Sequence, residues 1–137
     1  AGSRESLTIY SLSNTDAANP SPVRVTFTIG SDRTVNVQRC KSTASGGFWT
    51  FGGCTVTTRN IGGNLTPVTG VSNQFFTYYT AAGTAIPIAA GTLSAAQRAT
   101  VASIAVYVSV RATGSNTKQA VISNKVVLGN LGLVSGS

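Results

Sequence analysis

Two cysteines are the most reactive side chains that this sequence offers. Cys40 and Cys54 enclose thirteen residues, KSTASGGFWTFGG, so a bond between them would close a 15-residue loop. In the chain-entropy account, closing a loop of that length stabilises a fold by about 3 kcal/mol. Two buried free thiols are the alternative, and a redox pair is disfavoured because the spacing is not C-x-x-C. We favour the disulfide, since the low charge content suits an oxidising compartment.

The remaining composition excludes most classes of enzyme. The sequence has no histidine, which is the commonest general base and the commonest metal ligand. Its three acids, Glu5, Asp16 and Asp32, are too widely separated in sequence to suggest a pair of catalytic carboxylates. Two thiols cannot complete a zinc site without further ligands. We therefore expect no enzymatic activity, no cofactor and no bound metal.

The excess of basic residues raises the question of an anionic partner. Ten Lys and Arg residues against three acids give a formal net charge of +7. The candidates for phosphate contacts and base stacking on nucleic acid lie in the first half of the chain and are Arg24, Arg33, Arg39, Lys41, Arg59 and Trp49. The alternative is that the charge serves solubility or attraction to an anionic envelope.

Aromatic residues cluster inside the segment that the cysteines enclose. Phe48, Trp49 and Phe51 predict a small satellite core beneath this loop, with a ligand platform as the alternative. If Trp49 and the pair Tyr78 and Tyr79 were exposed instead, they could act as platforms for sugars. The burial of these rings thus distinguishes a packing role from a binding role.

Alternation of apolar and polar residues predicts the strands that position these side chains. An alternating run over 22–29 and the turn at Gly30–Asp32 lead into a second strand over 33–39. If these two strands pair, Arg24 and Arg39 lie near the same end of the hairpin. Further strands are predicted at 5–12, 54–59 and 74–80, with an uncharged loop at 60–64.

The C-terminal part of the chain predicts a helix followed by a second hairpin. Ser94 and Gln97 fit a capping box, which would begin a short helix over 94–100. Gly114–Asn116 separates two alternating runs, as a hairpin turn would. The first run predicts a buried face and a wet face, which consist of Ile104, Val106, Val108 and Val110 and of Ala105, Tyr107, Ser109 and Arg111, respectively.

Together these elements predict a mainly β fold. We expect an antiparallel, meandering sheet of about six to eight strands with one short helix near 94–100. The length of 137 residues suits a single domain over 1–137. Residues 1–4 and 135–137 are expected to be flexible or to derive from an expression vector.

From Gln74 onwards the order of elements resembles that of minor type IV pilins and type II secretion pseudopilins, especially the J-like proteins. In that family an aromatic strand precedes a Leu-Ser helix, a Val-rich strand ending in Arg, and a last strand. This chain has FFTYYTAAGTAI, then LSAAQ, then IAVYVSVRA and SNKVVLGNL. The front half, SLTIYSL, a loop, VRVTFTIGSDRTVNVQR and a loop with Trp49, fits too, so the resemblance covers residues 5–131.

Two features depart from the family pattern. Relatives usually carry Arg before the terminal Asn, where this chain has Gly129 before Asn130. They also begin with a long apolar helix, whose outer half packs on the sheet and which is absent from this sequence. Counting that helix would make the fold α+β rather than mainly β.

The resemblance implies the globular head of a structural filament subunit, which packs against other pilin or pseudopilin subunits. The location would be extracellular or in the cell envelope, with membrane contact only through the N-terminal helix. DNA is a further candidate partner, because minor pilins include DNA receptors. The alternative is a secreted adhesin-like or carbohydrate-binding β domain, which exposed aromatic rings would favour.

Overall fold

A computed structural model describes residues 2–11, 21–52, 56–63, 65, 74–88, 91–111 and 119–128. Antiparallel strands account for most of these residues, and one short helix accompanies them. The predicted mainly β fold with one short helix is therefore confirmed. The chain forms two compact units, Ser6–Gly63 and the combination of Ala1–Glu5 with Asn64–Ser137. The single domain expected from the length stays a prediction.

The first unit, Ser6–Gly63, consists of a four-stranded antiparallel sheet and a separate two-stranded hairpin. Its strands are β1 (Ser6–Ser11), β2 (Val23–Ile29), β3 (Val35–Lys41), β4 (Thr43–Ser45), β5 (Phe48–Thr50) and β6 (Thr57–Gly62). The sheet has the strand order β1-β2-β3-β6, and β4 pairs with β5.

The turn between β2 and β3 is fixed by backbone and side-chain hydrogen bonds. Gly30 N donates to Thr34 O at 2.8 Å, and Arg33 N donates to Gly30 O at 2.9 Å. The Asp32 carboxylate accepts from the Thr34 hydroxyl at 2.8 Å and from its backbone N at 3.2 Å. These two bonds, the side-chain one first, stabilise the charged form and lower the pKa of Asp32. Because β2 and β3 pair antiparallel on either side of this turn, the hairpin predicted from 22–29 and 33–39 is confirmed.

Strand β6 shows how pairing extends a strand beyond its local signal. The strand predicted over 54–59 begins at Thr57 and continues to Gly62, through part of the segment predicted as a loop. Pairing with β3 is the reason, because Asn60 lies opposite Asn36 and Gly62 lies opposite Val35. Every residue of β6 is exposed, as expected for a strand at the edge of its sheet.

The second unit contains a three-stranded antiparallel sheet and the helix. The strands β7 (Phe76–Tyr79), β8 (Ser103–Arg111) and β9 (Gln119–Val127) form the sheet in that order. The helix α1 (Ala95–Thr100) precedes β8. The turn predicted at 114–116 lies outside the described residues.

The capping box predicted at the start of α1 is confirmed. Gln97 N donates to Ser94 Oγ at 3.1 Å, and Ser94 N donates to Gln97 Oε1 at 2.8 Å. The side-chain amide of Gln97 also donates to Pro87 O at 2.8 Å. The same glutamine therefore caps the helix and ties its first turn to the preceding segment.

Residues 2–4 make backbone hydrogen bonds within the second unit, and the prediction of a flexible or vector-derived end stays a prediction. Leu93 N donates to Gly2 O at 2.8 Å, and Phe76 N donates to Arg4 O at 3.0 Å. Backbone N–H groups need hydrogen-bond partners when they are removed from water, and those of Leu93 and Phe76 find them in the carbonyl oxygens of residues 2–4.

The two faces of β8 differ less in exposure than the alternation predicts. Ser109, which was expected to be wet, is buried with 8% of its surface exposed. Val106, Val108 and Val110, which were expected to be buried, are half-buried, whereas Ile104 is buried as predicted. A serine is small enough for larger neighbours to cover, so polarity alone does not set its exposure.

Candidate functional site

The register of the first sheet sorts its side chains onto two faces. Residues directly opposite each other in antiparallel strands point to the same side, and neighbours along a strand point to opposite sides. Val25 lies opposite Arg39, so one face carries both the buried valines of β2 and the basic residues of β3. Arg24 lies opposite Cys40 and points to the other face.

This sorting separates the basic residues proposed for nucleic acid. Arg39, Lys41 and Arg59 share the face of Val25 and are exposed. Arg24 lies at the same end of the hairpin as Arg39, as predicted, but on the opposite face. The structure thus brings three of the predicted cations together on one side of the sheet.

Arg33 and Trp49, the other two predicted contacts, belong neither to β3 nor to β6. Arg33 is in the turn at the far end of the β2–β3 hairpin, and Trp49 is in β5. Contact between any of the six residues and nucleic acid stays a prediction.

Arg24 helps to hold the cysteine segment on the sheet. Its guanidinium carbon lies 5.5 Å from the centre of the Phe51 ring, and its Nη2 lies 3.6 Å from Cys40 Sγ. The Tyr10 ring meets the same Phe51 ring edge-on, with 5.3 Å between their centroids. A cation–π contact at a partly exposed site contributes about 0.5–1 kcal/mol. Arg24 therefore has a packing role of its own.

Cys40 is disulfide-bonded and almost fully buried, with 2% of its surface exposed. Its sulfur lies 3.8 Å from the carbonyl oxygen of Phe51, in the same segment that Arg24 contacts. The predicted partner, Cys54, lies outside the described residues.

The rings of the cysteine segment do not form the satellite core that the sequence predicts. Phe48 is 77% exposed and Trp49 is 46% exposed, whereas Phe51 packs against Tyr10. The reason is the hairpin of β4 and β5, whose strands have three residues each and cannot cover both rings. Tyr78, by contrast, is 2% exposed, which excludes it as a platform for sugars.

The other face of the first sheet carries a regular array that sequence reasoning missed. Two rows of directly opposed residues cross all four strands, namely Thr8, Thr26, Gln38 and Thr58 in one row and Ser6, Thr28, Asn36 and Asn60 in the other. These eight residues, called the polar ladder from here on, all have neutral hydroxyl or amide side chains, and none of them is buried. Their sequence signal is the alternate positions of SLT, TFT, NVQ and TRN.

The second sheet has an apolar face whose exposure rises from β7 to β9. Tyr78, Ile104 and Val126 lie directly opposite one another across the three strands. Their exposed fractions are 2%, 6% and 50%. Ile122, on the same face of β9, is 65% exposed. Ile122 and Val126 together are called the open apolar patch below.

The opposite face of β9 is also in water. Val121 and Val127 point to that side, and they are 50% and 73% exposed. Lys125 lies between them on the same side, with its ammonium 4.2 Å from the centre of the Tyr79 ring. Strand β9 thus combines exposed apolar residues on both faces with one cation.

Two kinds of feature are absent from the described part of the chain. No group of three or more cysteine or acidic side chains there is placed to hold a metal ion. Among the same residues, no helix is long and apolar enough to cross a membrane.

No protein-family model, curated protein or solved structure matches this chain.

Proposed function

We propose that this chain is the globular head of a structural subunit of an extracellular filament, of the minor type IV pilin or pseudopilin kind. The open apolar patch is the observation that carries the proposal, and the order of elements from Gln74 onwards supports it. The head would pack against other subunits, present its loops outward and perform no reaction. It would be located outside the cell or in the cell envelope.

The open apolar patch continues an apolar row that is buried at Tyr78 and Ile104. Val126 continues the row of Tyr78 and Ile104, yet half of its surface is in water. Full burial of a Val or Ile side chain contributes about 1.5–3 kcal/mol. In addition, β9 lies at the edge of its sheet, where exposed apolar strands promote association. A partner that covered Ile122 and Val126 would therefore gain free energy from their burial.

An amphipathic helix is the cover that the resemblance suggests. In the family, the outer half of the N-terminal helix packs on the sheet, and the helix anchors the subunit in the membrane before assembly. Laid across β8 and β9, such a helix would complete the burial that begins at Tyr78. The same helix would connect the head to the core of the filament.

The proposal is tested with the full natural subunit in the organism that makes it. Ile122 and Val126 are replaced together by serine, and the subunit is quantified in filaments sheared from the cells. We expect the filament-bound amount to fall roughly tenfold or more, because the helix or neighbour loses its apolar contact. The total amount of subunit in the cells should be unchanged.

The matched control is the double variant Val121→Ser/Val127→Ser, which changes two exposed valines of the same strand on its opposite face. Before the filament assay, thermal unfolding of the isolated heads should show both variants close to the parent, because substitutions at exposed positions change stability little. Equal incorporation of the two variants, or absence of the parent subunit from filaments, would contradict the proposal.

The coding sequence that precedes this chain in its own gene provides an independent test. We expect a short basic leader, a processing glycine and about 20 apolar residues with a glutamate near their start. An ordinary cleaved signal peptide would contradict a pilin and favour the secreted adhesin-like domain. The exposed rings of Phe48 and Trp49 are the observation that supports this alternative.

DNA binding by the head is a second proposal, supported by the position of Arg39, Lys41 and Arg59 on one face of the first sheet. Fluorescence anisotropy with labelled DNA tests it across a salt series, since phosphate contacts weaken as salt rises. The variant Arg39→Gln/Lys41→Gln should bind less tightly than Arg33→Gln, which removes a charge at the far end of the hairpin. Absence of binding at low salt would contradict the proposal of DNA binding.

A further inference from the structure

We propose that the polar ladder and the aromatic side chains at its end bind a neutral, extended polysaccharide. The site lies wholly within the first unit, Ser6–Gly63. It is independent of the filament role, because the open apolar patch belongs to the other unit.

The spacing of the polar ladder provides a grid of hydrogen-bonding groups. Neighbouring strands of a sheet are about 4.8 Å apart, and alternate residues along a strand are about 6.7 Å apart. Hydroxyl and amide side chains both donate and accept hydrogen bonds. The Asn36 amide already donates to Thr34 Oγ1 and the Asn60 amide already accepts from Gly62 N, but each keeps further donor and acceptor capacity for a sugar hydroxyl. A polysaccharide lying across the strands would therefore find a partner at each strand.

One contact within the polar ladder orders its hydroxyls in advance. Thr8 Oγ1 and Thr26 Oγ1 are 3.1 Å apart, within hydrogen-bonding distance, at directly opposed positions of β1 and β2. One hydroxyl donates to the other and retains its capacity to accept from a ligand. Side chains that are already ordered lose less entropy when they bind.

The face of the first sheet that carries the polar ladder differs in charge from the opposite face, which is the candidate for nucleic-acid binding. The eight side chains of the polar ladder are neutral, whereas Arg39, Lys41 and Arg59 point to the other face. The cation at the end of the polar ladder, Arg24, contacts the Phe51 ring. A phosphate-rich ligand would need several cations on the face that it contacts. The polar ladder therefore suits an uncharged ligand.

The Tyr10 ring, with the Phe51 ring that it contacts, lies beside the row of the polar ladder that begins at Thr8. Tyr10 and Thr8 are alternate residues of β1, so their side chains share a face. Tyr10 is 62% exposed, and its ring is steadied by the edge-on contact with Phe51. Such a ring offers an apolar surface to the C–H groups of a sugar, while its hydroxyl remains in water.

Affinity electrophoresis in native gels tests this inference, with mixed-linkage β-glucan, glucomannan and dextran as separate probes. The whole chain should be retarded by at least one of these neutral polymers. Retardation should persist in high salt, because no phosphate or carboxylate takes part. Alginate, an acidic polymer, serves as the control, because the net charge of +7 would by itself attract the protein to any polyanion.

Two adjacent threonines of β6 provide a matched pair of variants. Thr58 belongs to the polar ladder, whereas Thr57 points to the opposite face, and both are exposed. Thr58→Val should weaken retention roughly fivefold, as expected for one lost hydrogen bond, whereas Thr57→Val should retain it. Gln38→Val/Thr58→Val and Tyr10→Ala should each weaken retention further.

Three outcomes would overturn the inference. The first is a chain that none of the three neutral polymers retards. The second is an equal loss of retention in Thr57→Val and Thr58→Val, and the third is retention by alginate alone. Circular dichroism of each variant confirms that the sheet has formed, so that a loss of retention reports the site itself.

Discussion

The hydroxyl of Tyr78 donates a 3.0 Å hydrogen bond to the backbone carbonyl oxygen of Ser3, a residue 75 positions earlier in the sequence. Burial raises the pKa of the Tyr78 phenol above its ordinary value, because the ionised form would lose its hydration. The contact thus joins the N-terminal segment to β7 through a phenol that the fold keeps protonated.

This contact predicts a loss of stability in alkali. Below a pH of about 10 both the folded and the unfolded chain hold the Tyr78 proton, so its contribution is complete. At higher pH the unfolded chain releases the proton while the folded chain retains it, so the free energy of unfolding falls as the pH rises. Urea unfolding at a series of pH values measures this decline.

The variant Tyr78→Phe isolates the effect. It should lower the free energy of unfolding at neutral pH by about 1 kcal/mol, through the lost hydrogen bond, and should flatten the alkaline decline. Tyr10→Phe, which removes an exposed hydroxyl, serves as the control and should change neither quantity. An alkaline decline that is as steep in Tyr78→Phe as in the parent would count against the assignment.

A side chain at position 2 should disturb the same contact. A Cβ atom built on Gly2 would lie 2.6 Å from the Tyr78 hydroxyl oxygen, and the buried Tyr78 ring has little room to move. We expect Gly2→Ala to destabilise the protein by about 1–3 kcal/mol, as overpacking does. Gly52→Ala is the control, since no described atom lies within 4 Å of its added Cβ. Thermal unfolding compares them, and equal melting temperatures would contradict the prediction.

Removing the cap of α1 should lower stability without changing the fold. Ser94→Ala leaves the backbone N of Gln97 without its acceptor and should cost about 1 kcal/mol. Ser94→Asp provides a different acceptor at the same position and should restore most of the loss. Denaturant unfolding of the three proteins measures both changes, and a neutral Ser94→Ala would show that the cap contributes little.

Reduction should weaken the first unit. If Cys54 is the partner of Cys40, the bond closes a 15-residue loop, and its loss should cost about 3 kcal/mol. Peptide mapping without reductant should find the two cysteine peptides joined, and unfolding with and without reductant measures the cost. Two unlinked peptides in freshly purified protein would disprove the pairing.

Local signals in the sequence were sufficient for several elements. The capping box of α1 involves residues three apart, and the β2–β3 hairpin is fixed by its own short turn, so both could be predicted. The end of β6 could not, because Gly62 joins the strand through pairing with β3. The polar ladder was missed for the same reason: each strand displays its alternate hydroxyl or amide residues, but the register decides which rows they form.

Exposure was the property that the sequence predicted least well. Apolar and aromatic character suggested burial for Phe48 and Trp49, but the short hairpin around them has nothing large enough to cover both rings. Polar character suggested exposure for Ser109, which its neighbours cover. In each case the size of the surrounding elements decided the outcome, and that size depends on the fold.

The ammonium of Lys125, which lies over the Tyr79 ring, affects how copies of this chain meet in solution. It is the single charge among the nine residues of β9. A second copy that aligned its own strand along the β9 edge would have to remove water from that ammonium. Charge on an outer strand is a common guard against such pairing. Lys125 thus disfavours edge-to-edge pairing between two copies of this chain, and its neutralisation by acetylation should make concentrated solutions of the protein turbid.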